Sequence, residues 1–333
     1  MQRRMSVVVW FVGMAVLTCA GCRQANDAGA PPPGQSQKNK QVVLQLNWYP
    51  EAEHGGFYAA LVEGLFASEG LGVEIRPGGR ATPVASELSL GRAHFAVSNA
   101  ADVLLFREQG ADIVALMAGL QDNPRCLLVR EDAGVNSFKE LRGQTLQLGT
   151  GRPFAEFLRQ RGVLEGVRVV PYFGSVTQLV TTPNMAQQGY VFSEPLLAER
   201  AGTQVRTLLV SDLGFNPYAS VLVTTGDTLR TQRTLVEKMT RACTAGWHRY
   251  LEAPAATNAY LVTQNQHGLA LDVLDYGAKK MRPLVLPPNG KPQHLGRMTA
   301  SRWQTLTRQM TDLGLITREK VQATDCYDST IIP

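Results

Sequence analysis

Apolar residues alternate with polar ones at residues 42–46 and 73–75, which is typical of strands. Between these segments, at residues 56–68, apolar residues such as Phe57, Leu61 and Leu65 recur at helical spacing. Pro50 ends the first strand, and Gly70 ends the helix. The pattern therefore predicts a strand, a helix and a second strand, with a turn at residues 47–56 after the first strand.

The same rhythm continues to residue 117 and implies a parallel sheet with right-handed crossovers. Short apolar runs and helical segments then follow one another to about residue 225. Beyond residue 230 the pattern becomes helical. Further strands are predicted at residues 93–98, 113–117, 126–130, 145–148, 167–172, 190–192, 205–210 and 218–224. Helices are predicted at residues 84–90, 99–108, 137–143, 154–161, 176–179, 196–201, 231–251, 254–263, 271–279 and 298–313.

Length and composition fit a soluble globular protein of two domains, since the chain has 333 residues, 44% hydrophobic and 18% charged. The formal charge of +5 is too small for a nucleic-acid-binding surface, and no basic stripe is present. The five cysteines include no CxxC pair beyond residue 22, so neither a zinc site nor a disulfide framework is indicated. No HExxH, GxSxG or Walker motif indicates a catalytic site.

The first 22 residues have the pattern of a secretory signal peptide. Arg3 and Arg4 precede an apolar run at residues 5–17, which is too short to span a membrane. Ala20-Gly21-Cys22 resembles a bacterial lipobox, although Cys19 replaces the usual leucine. We therefore expect export and acylation of Cys22, with residues 23–40 as a flexible tether rich in Ala, Pro, Gly and Gln.

Polar and aromatic residues follow several predicted strands at their carboxyl ends, where ligands of open α/β sheets bind. Trp48, Tyr49 and His54 follow the first strand and precede a helix whose free N–H groups can bind an acceptor. Ser98 and Asn99 follow another strand of the same edge, as does Gln121. The alternative for the first turn is that Trp48 and Tyr49 are core residues and His54 is a solvated turn residue.

Two features of the second half are also candidates. Gly149-Thr150-Gly151-Arg152-Pro153 opens a helix and can hold an anion or a carbonyl oxygen, although these glycines equally suit a tight turn. Glu194 follows the strand predicted at residues 190–192 and can pair with an amino or amidine group. The alternative for Glu194 is a capping role at the start of the next helix.

Six segments of the chain form a recognisable set, namely LNWYPEAEHGGFYAALVEGLF, GLGVEI, LSLGRAHFAVSNAADVLL, IVALMAGLQDNP, GVNSFKELRGQTL and YVFSEPLLAE. Together they resemble the thiamine-pyrimidine branch of periplasmic substrate-binding proteins, which is related to the taurine and nitrate binders. The resemblance covers residues 42–225 and implies an α/β fold of the type II periplasmic-binding-protein kind, with two lobes around a central ligand cleft. The implied division is residues 41–130 for lobe 1, 131–216 for lobe 2, and 217–333 for the return to lobe 1 and the C-terminal helices.

By this resemblance the protein is an extracytoplasmic, monomeric binding protein that works with an ABC permease and ATPase and needs no cofactor. A flat heteroaromatic ring, such as a thiamine pyrimidine precursor, would stack on Trp48 and Tyr49, with His54 as a hydrogen-bond partner. Flavins, sulfonates and nitrate remain open as ligands, and a sensor remains open as the partner. The other implied contacts are Ser98, Asn99, Gln121, Thr150, Gly151, Arg152, Glu194 and Tyr218.

The resemblance also raises an enzymatic alternative. Thiamine-pyrimidine synthases consume one of their own histidines together with pyridoxal phosphate, and His54 matches the general position of that histidine. Those enzymes also need a CCCFC segment near the returning strand, where this chain reads FNPYASVLV. We therefore expect a binding protein that is not an enzyme.

Overall fold

The structure, a computed structural model, describes residues 40–265, 268–286 and 291–332 and contains two five-stranded sheets. The sheet of the first lobe consists of β1 (Lys40–Gln45), β2 (Leu71–Arg76), β3 (Phe95–Ser98), β4 (Ile113–Leu120) and β10 (Ala219–Thr225). Its strand order is β2-β1-β3-β10-β4. The strand β1 is parallel to β2 and β3, whereas the returning β10 is antiparallel to β3 and β4.

The sheet of the second lobe consists of β5 (Arg125–Arg130), β6 (Thr145–Leu148), β7 (Arg168–Pro171), β8 (Met185–Tyr190) and β9 (Val205–Leu209). Its strand order is β7-β6-β8-β5-β9. The strand β6 is parallel to β7 and β8, and β5 is antiparallel to β8 and β9. The two-lobed α/β fold expected from the sequence is confirmed.

Helices cover both sheets, and the C-terminal helices pack on the first lobe, where α9 lies against α1 and α12 lies against α4. Among the described helices, none combines the length and the apolar character that crossing a bilayer requires. The helices are α1 (Gly55–Val62), α2 (Leu65–Ser68), α3 (Val84–Ser89), α4 (Ala100–Glu108), α5 (Pro153–Gln160), α6 (Thr177–Thr181), α7 (Glu194–Arg200), α8 (Gly226–Thr231), α9 (Arg233–Glu252), α10 (Ala255–Gln264), α11 (Leu271–Val285) and α12 (Ala300–Asp312).

Two expectations from the sequence need correction. The strand β5 was assigned to lobe 1 but pairs within the second sheet, so the chain leaves the first lobe before residue 125. The strand predicted at residues 190–192 is β8, which begins at Met185 and ends at Tyr190. Its polar Gln187 and Gln188 lie in buried positions and conceal the strand pattern. Glu194 is consequently the first residue of α7 and follows β8 by four residues.

Two segments without regular secondary structure, residues 121–124 and 214–218, connect the lobes and are bonded to each other. The Asn123 amide N–H donates to Asn216 Oδ1 at 2.8 Å, and Asn123 Nδ2 donates to the Pro217 carbonyl at 2.9 Å. Arg302 of α12 holds both segments, because its Nη2 donates to the Gln121 carbonyl at 2.6 Å and to the Asn216 carbonyl at 2.8 Å. We call these two segments the hinge.

Candidate ligand-binding site

The sheet topology brings several polar segments to facing edges of the two lobes. In the first lobe β1, β3 and β4 run in one direction, so the turn at residues 47–54 and Asn99 follow strands at the same edge. In the second lobe the ends of β7 and β8 meet the start of β5, where Arg125 is the register partner of Tyr190. We call the space bordered by Glu51, Glu53, Arg125, Tyr190 and Glu194 the interlobe cleft.

Close packing fixes the turn that carries the first-lobe side chains. A 3₁₀ helix at Ala52–His54 runs directly into α1. A Cβ on Gly55 would lie 2.1 Å from a ring atom of Tyr250, and one on Gly56 would lie 2.2 Å from the Trp247 ring. Only glycine permits this approach of α1 to the rings of α9. The two glycines therefore determine where Glu53 and His54 are held.

His54 is completely buried and uncharged. Its Nε2 lies 3.1 Å from Asn47 Oδ1, and because that oxygen only accepts, the ring hydrogen is on Nε2. Burial lowers the pKa of His54 to about 3. The other ring nitrogen, Nδ1, is a buried acceptor without a hydrogen-bond partner among the described residues. The alternative in which His54 is a solvated turn residue is therefore wrong.

Glu53 is buried as well, with only 2% of its surface exposed. Its Oε1 lies 3.5 Å from His54 Nε2, whereas its Oε2 has no hydrogen-bond partner within the described part of the chain. The Ser220 hydroxyl donates to the Glu53 carbonyl. Ser220 has a left-handed backbone with φ of 49°, which is a strained conformation for a residue other than glycine. Ser220, a strained residue of β10, therefore holds the backbone of Glu53, whose carboxylate has one oxygen without a hydrogen-bond partner among the described residues.

In the second lobe Arg125 and Glu194 lie among aromatic side chains. The guanidinium carbon of Arg125 is 4.0 Å from the centre of the Tyr190 ring and 4.7 Å from that of Phe154. Glu194 Oε1 accepts from the Tyr172 hydroxyl at 3.1 Å, and Oε2 accepts from the Tyr190 N–H at 2.9 Å. Both oxygens of Glu194 are thus bonded, and its position at the start of α7 also stabilises a negative charge.

The carboxyl groups of the two lobes affect one another electrostatically. Burial raises the pKa of Glu53 to about 7, with the Arg125 charge opposing this shift and the Glu194 charge adding to it. Burial also raises the pKa of Glu51, and the charges of Glu53 and Glu194 raise it further. Burial raises the pKa of Glu194, whereas the hydrogen bond from the Tyr190 N–H and the charge of Arg125 lower it. The ionisation of carboxyl groups in one lobe therefore depends on charges carried by the other lobe.

The structure places the predicted first-lobe residues along the same edge. Trp48 and Tyr49 are half-buried and meet edge to face, with ring centres 5.1 Å apart, so neither is a fully buried core residue. Ser98 is buried at the end of β3. Asn99 donates from Nδ2 to Asp102 Oδ2 at 3.1 Å, while its buried Oδ1 has no hydrogen-bond partner in the described residues. These positions are compatible with the predicted ligand wall.

The predicted turn of the second lobe is a tight turn that also contacts the first lobe. The Gly149 N–H donates to Gln188 Oε1 at 2.6 Å, and Gly151 has a φ of 73°, while Thr150 and Gly151 are exposed. The Arg152 guanidinium lies 3.9 Å from the Asp102 carboxylate of the first lobe. The turn thus contributes a contact between the lobes at the edge of the cleft.

Gln121 and Tyr218 are positioned in the hinge. Gln121 donates from Nε2 to the Arg297 carbonyl at 2.9 Å. The Tyr218 hydroxyl accepts from the Thr299 N–H at 3.0 Å, and Arg302 lies 3.9 Å from the centre of its ring. Because both side chains are bonded to other parts of the protein, we do not propose ligand contacts for Gln121 or Tyr218.

The sequence analysis identified Glu194 but not the first-lobe carboxylates Glu51 and Glu53, nor Arg125, Tyr172 and Tyr190. Glu51 and Glu53 lie within the turn that was identified, but residues 51–54 show no pattern that separates buried from exposed carboxylates. A charged residue directly before the apolar run CLLV was a usable signal for Arg125. Tyr172 and Tyr190 were available as aromatic residues at strand ends, the position that identified Trp48.

Comparison with known proteins gives a family and relatives. The family model described as NMT1/THI5 like matches residues 51–257, which confirms the resemblance found in the sequence. The chain is 25% identical over 232 residues to the riboflavin-binding protein RibY of Chloroflexus aurantiacus, covering 67% of this chain and 66% of the relative. It is 29% identical over 134 residues to a formylaminopyrimidine-binding protein of Halalkalibacterium halodurans, covering 40% of this chain and 38% of the relative. The chain thus spans less than two thirds of the length of either relative.

Among solved structures, the periplasmic aliphatic sulphonate-binding protein SsuA of Escherichia coli has a similar fold. The TM-score is 0.66 at 14% sequence identity, and the match covers 86% of this chain and 91% of that one. At this identity the match concerns the fold, which is that of periplasmic binding proteins.

Proposed function

Because the chain belongs to the NMT1/THI5-like family, we propose that it is an extracytoplasmic solute-binding lipoprotein of an ABC importer. Its ligand is a small heteroaromatic molecule with a basic edge, such as a thiamine pyrimidine precursor. The names of the two relatives, which refer to riboflavin and formylaminopyrimidine, support a flat nitrogen heterocycle. A permease and an ATPase would be its partners, and acylated Cys22 would anchor it to the membrane.

The observation that carries this proposal is the set of side chains at the interlobe cleft. Binding sites for small molecules combine apolar and aromatic walls with a few converging polar groups. Here the first lobe supplies Glu53, which has one carboxylate oxygen without a hydrogen-bond partner among the described residues, and the second lobe supplies Glu194 and the Tyr190 ring. Since these groups belong to separate lobes, a ligand that contacts both would favour the closed arrangement.

The chemistry of the cleft favours a heterocycle with N–H groups over an anion. Sulfonate and nitrate offer only acceptor atoms and a negative charge, which carboxylates repel. An amino-substituted ring instead donates hydrogen bonds to carboxylate oxygens, and each such charged bond contributes about 1.5–3 kcal/mol. Trp48 and Tyr49 remain the proposed stacking residues, with a contribution of about 1–3 kcal/mol for a base-like ring.

A thermal-shift screen of the purified chain tests this function. The screen compares aminopyrimidines, riboflavin, aliphatic sulfonates and nitrate, and calorimetry then measures the affinity of each compound that raises the Tm. We expect aminopyrimidines to raise the Tm most. If no heteroaromatic compound raises the Tm, or if nitrate and sulfonates alone do so, the proposed function is wrong.

A further inference from the structure

The charges around the interlobe cleft do not balance. Within the described part of the chain, the carboxyl groups of Glu51, Glu53 and Glu194 interact with the same guanidinium, that of Arg125, whose charge partly offsets the rise that burial causes in all three pKa values. The Asp102 carboxylate is paired with Arg152 at 3.9 Å and contributes little net charge. His54 is buried and neutral, so it supplies no positive charge. When all three glutamates are ionised, the cleft therefore has more negative than positive charge.

The unbalanced charge belongs to the first lobe. Glu194 has both carboxylate oxygens bonded, to the Tyr172 hydroxyl and the Tyr190 N–H, and lies at a helix start. Glu53 is 2% exposed, and its Oε2 has no hydrogen-bond partner among the described residues. A buried carboxylate without a partner loses its hydration and gains nothing in exchange. It is therefore either protonated or paired with a cation that the protein itself does not supply.

We propose that the cleft takes a flat organic cation, such as an amidinium or an aminopyrimidinium, and that this cation replaces a proton held by the buried carboxyl group of Glu53. The N–H groups of the cation bind Glu53 Oε2, and the displaced proton is released to the solvent. This inference rests on the proposed function and narrows its ligand to one charge class. The cation inference depends on the carboxyl groups of Glu51 and Glu53, whereas the proposed binding function requires only a polar cleft between the lobes.

Proton displacement makes binding depend on pH. Since burial raises the pKa of Glu53 to about 7, the empty cleft holds a proton below that pH. A bound cation stabilises the ionised carboxylate and lowers its pKa again. Affinity for a permanent cation should rise as the pH increases towards about 7 and then level off. The charged and titratable groups around the pair are His54 on its own turn, Asp102 on α4, Arg125 on β5, Arg152 beside α5, Tyr172, Tyr190 and Glu194.

Benzamidinium and benzamide provide matched probes, because both are flat and similar in shape but only the first is charged. Calorimetry with the full chain at pH 6.5 and 8.5, in buffers of different ionisation enthalpy, gives the affinity and the number of protons released. We expect benzamidinium to bind about tenfold more tightly than benzamide. Its binding should release about one proton per molecule at pH 6.5 and far fewer at pH 8.5.

The variant Glu53→Gln keeps the side-chain shape and removes the charge, so it should bind the two probes within a factor of about two of each other. Glu63→Gln is the matched control, since Glu63 lies just after α1 and pairs with Arg249 on the surface. Its preference for the cation should equal that of the unmodified chain. If Glu53→Gln does not fold, Glu51→Gln provides the same comparison.

Benzamide binding as tightly as benzamidinium would overturn the inference, as would a cation preference that survives both glutamine substitutions, or binding without proton release. If neither probe binds while riboflavin or an uncharged pyrimidine raises the Tm, the cation inference is wrong and the proposed function stands. If no heteroaromatic compound binds, both are wrong.

Discussion

The Arg152 guanidinium of the second lobe lies 3.9 Å from the Asp102 carboxylate of the first lobe. Asp102 is held in place by Asn99, whose Nδ2 donates to its Oδ2 at 3.1 Å. The pair therefore joins the turn before α5 to the first turn of α4 across the edge of the interlobe cleft. Because Arg152 is more than half exposed, solvent screens the attraction, and its contribution to closure is at most about 1 kcal/mol.

Charge reversal tests this contact between the lobes. Arg152→Glu places two carboxylates together and should weaken ligand binding roughly threefold to tenfold at low salt, with a smaller effect at high salt. Combining it with Asp102→Arg should restore most of the lost affinity, as calorimetry can measure. A double variant no better than the single one would mean that Arg152 acts on the ligand directly, as the sequence first suggested.

Trp48 provides the test of the proposed stacking wall. Because the side chain is only half-buried, Trp48→Ala should leave the empty protein folded, with a modest loss of Tm. The loss of a stacked ring should weaken heteroaromatic ligands by about 1–3 kcal/mol and remove most of the ligand-induced thermal shift. Trp303, a completely buried residue of α12, is a contrasting site where alanine should instead reduce stability. An unchanged ligand shift in Trp48→Ala would contradict the stacking role.

Glu194→Gln separates ligand recognition from helix capping. The amide keeps one acceptor for the Tyr172 hydroxyl or the Tyr190 N–H but loses the negative charge. Affinity for amino-substituted pyrimidines should fall about tenfold, since a charged hydrogen bond becomes a neutral one. Affinity for analogues without an amino group should change little. Equal losses for both classes, measured by calorimetry, would indicate the capping role.

The pH dependence of stability follows from the raised pKa of Glu53. The folded state keeps the proton up to about pH 7, whereas the unfolded chain loses it near the ordinary glutamate pKa of about 4.5. The folded state therefore binds more protons between these values, and the contribution of Glu53 to stability decreases as the pH rises through this interval. Glu53→Gln should leave stability almost unchanged at pH 4 and increase it by about 1–3 kcal/mol at pH 8.

Urea unfolding of both proteins at several pH values measures this difference, with Glu63→Gln as the surface control. A glutamine variant that is less stable than the unmodified chain at pH 8 would show that Glu53 has a stabilising partner in the empty protein.

Arg302 is the side chain that connects both hinge segments. Arg302→Ala removes two hydrogen bonds to carbonyl groups and the contact with the Tyr218 ring, and should lower the free energy of unfolding by about 2–4 kcal/mol. Arg302→Lys keeps the charge but not the planar fork, and should recover only part of that loss. Urea unfolding measures both variants. If Arg302→Lys recovers all of the lost stability, the positive charge alone stabilises the hinge and the planar guanidinium is not required.

Much of the fold could be predicted from local pattern. Pro50 and the glycines after it delimit the first strand and helix, and the apolar run at residues 113–120 indicates β4. The family resemblance extended these elements to a two-lobed architecture. The strand β8 was misplaced because Gln187 and Gln188 occupy buried positions, and β5 was assigned to the other lobe because strand pairing joins residues far apart in the chain.

By itself the sequence determined the order of the elements, the turn at residues 47–56 and most of the residues at the strand ends, because these depend on neighbours along the chain. Only the tertiary structure brought Glu51 and Glu53 opposite Arg125 and Glu194. It also showed that Gln121 and Tyr218 are bonded within the hinge. The burial of a carboxylate and its distance from other charges are established only when the chain packs into its tertiary structure. These two quantities leave Glu53 Oε2 buried without a hydrogen-bond partner among the described residues.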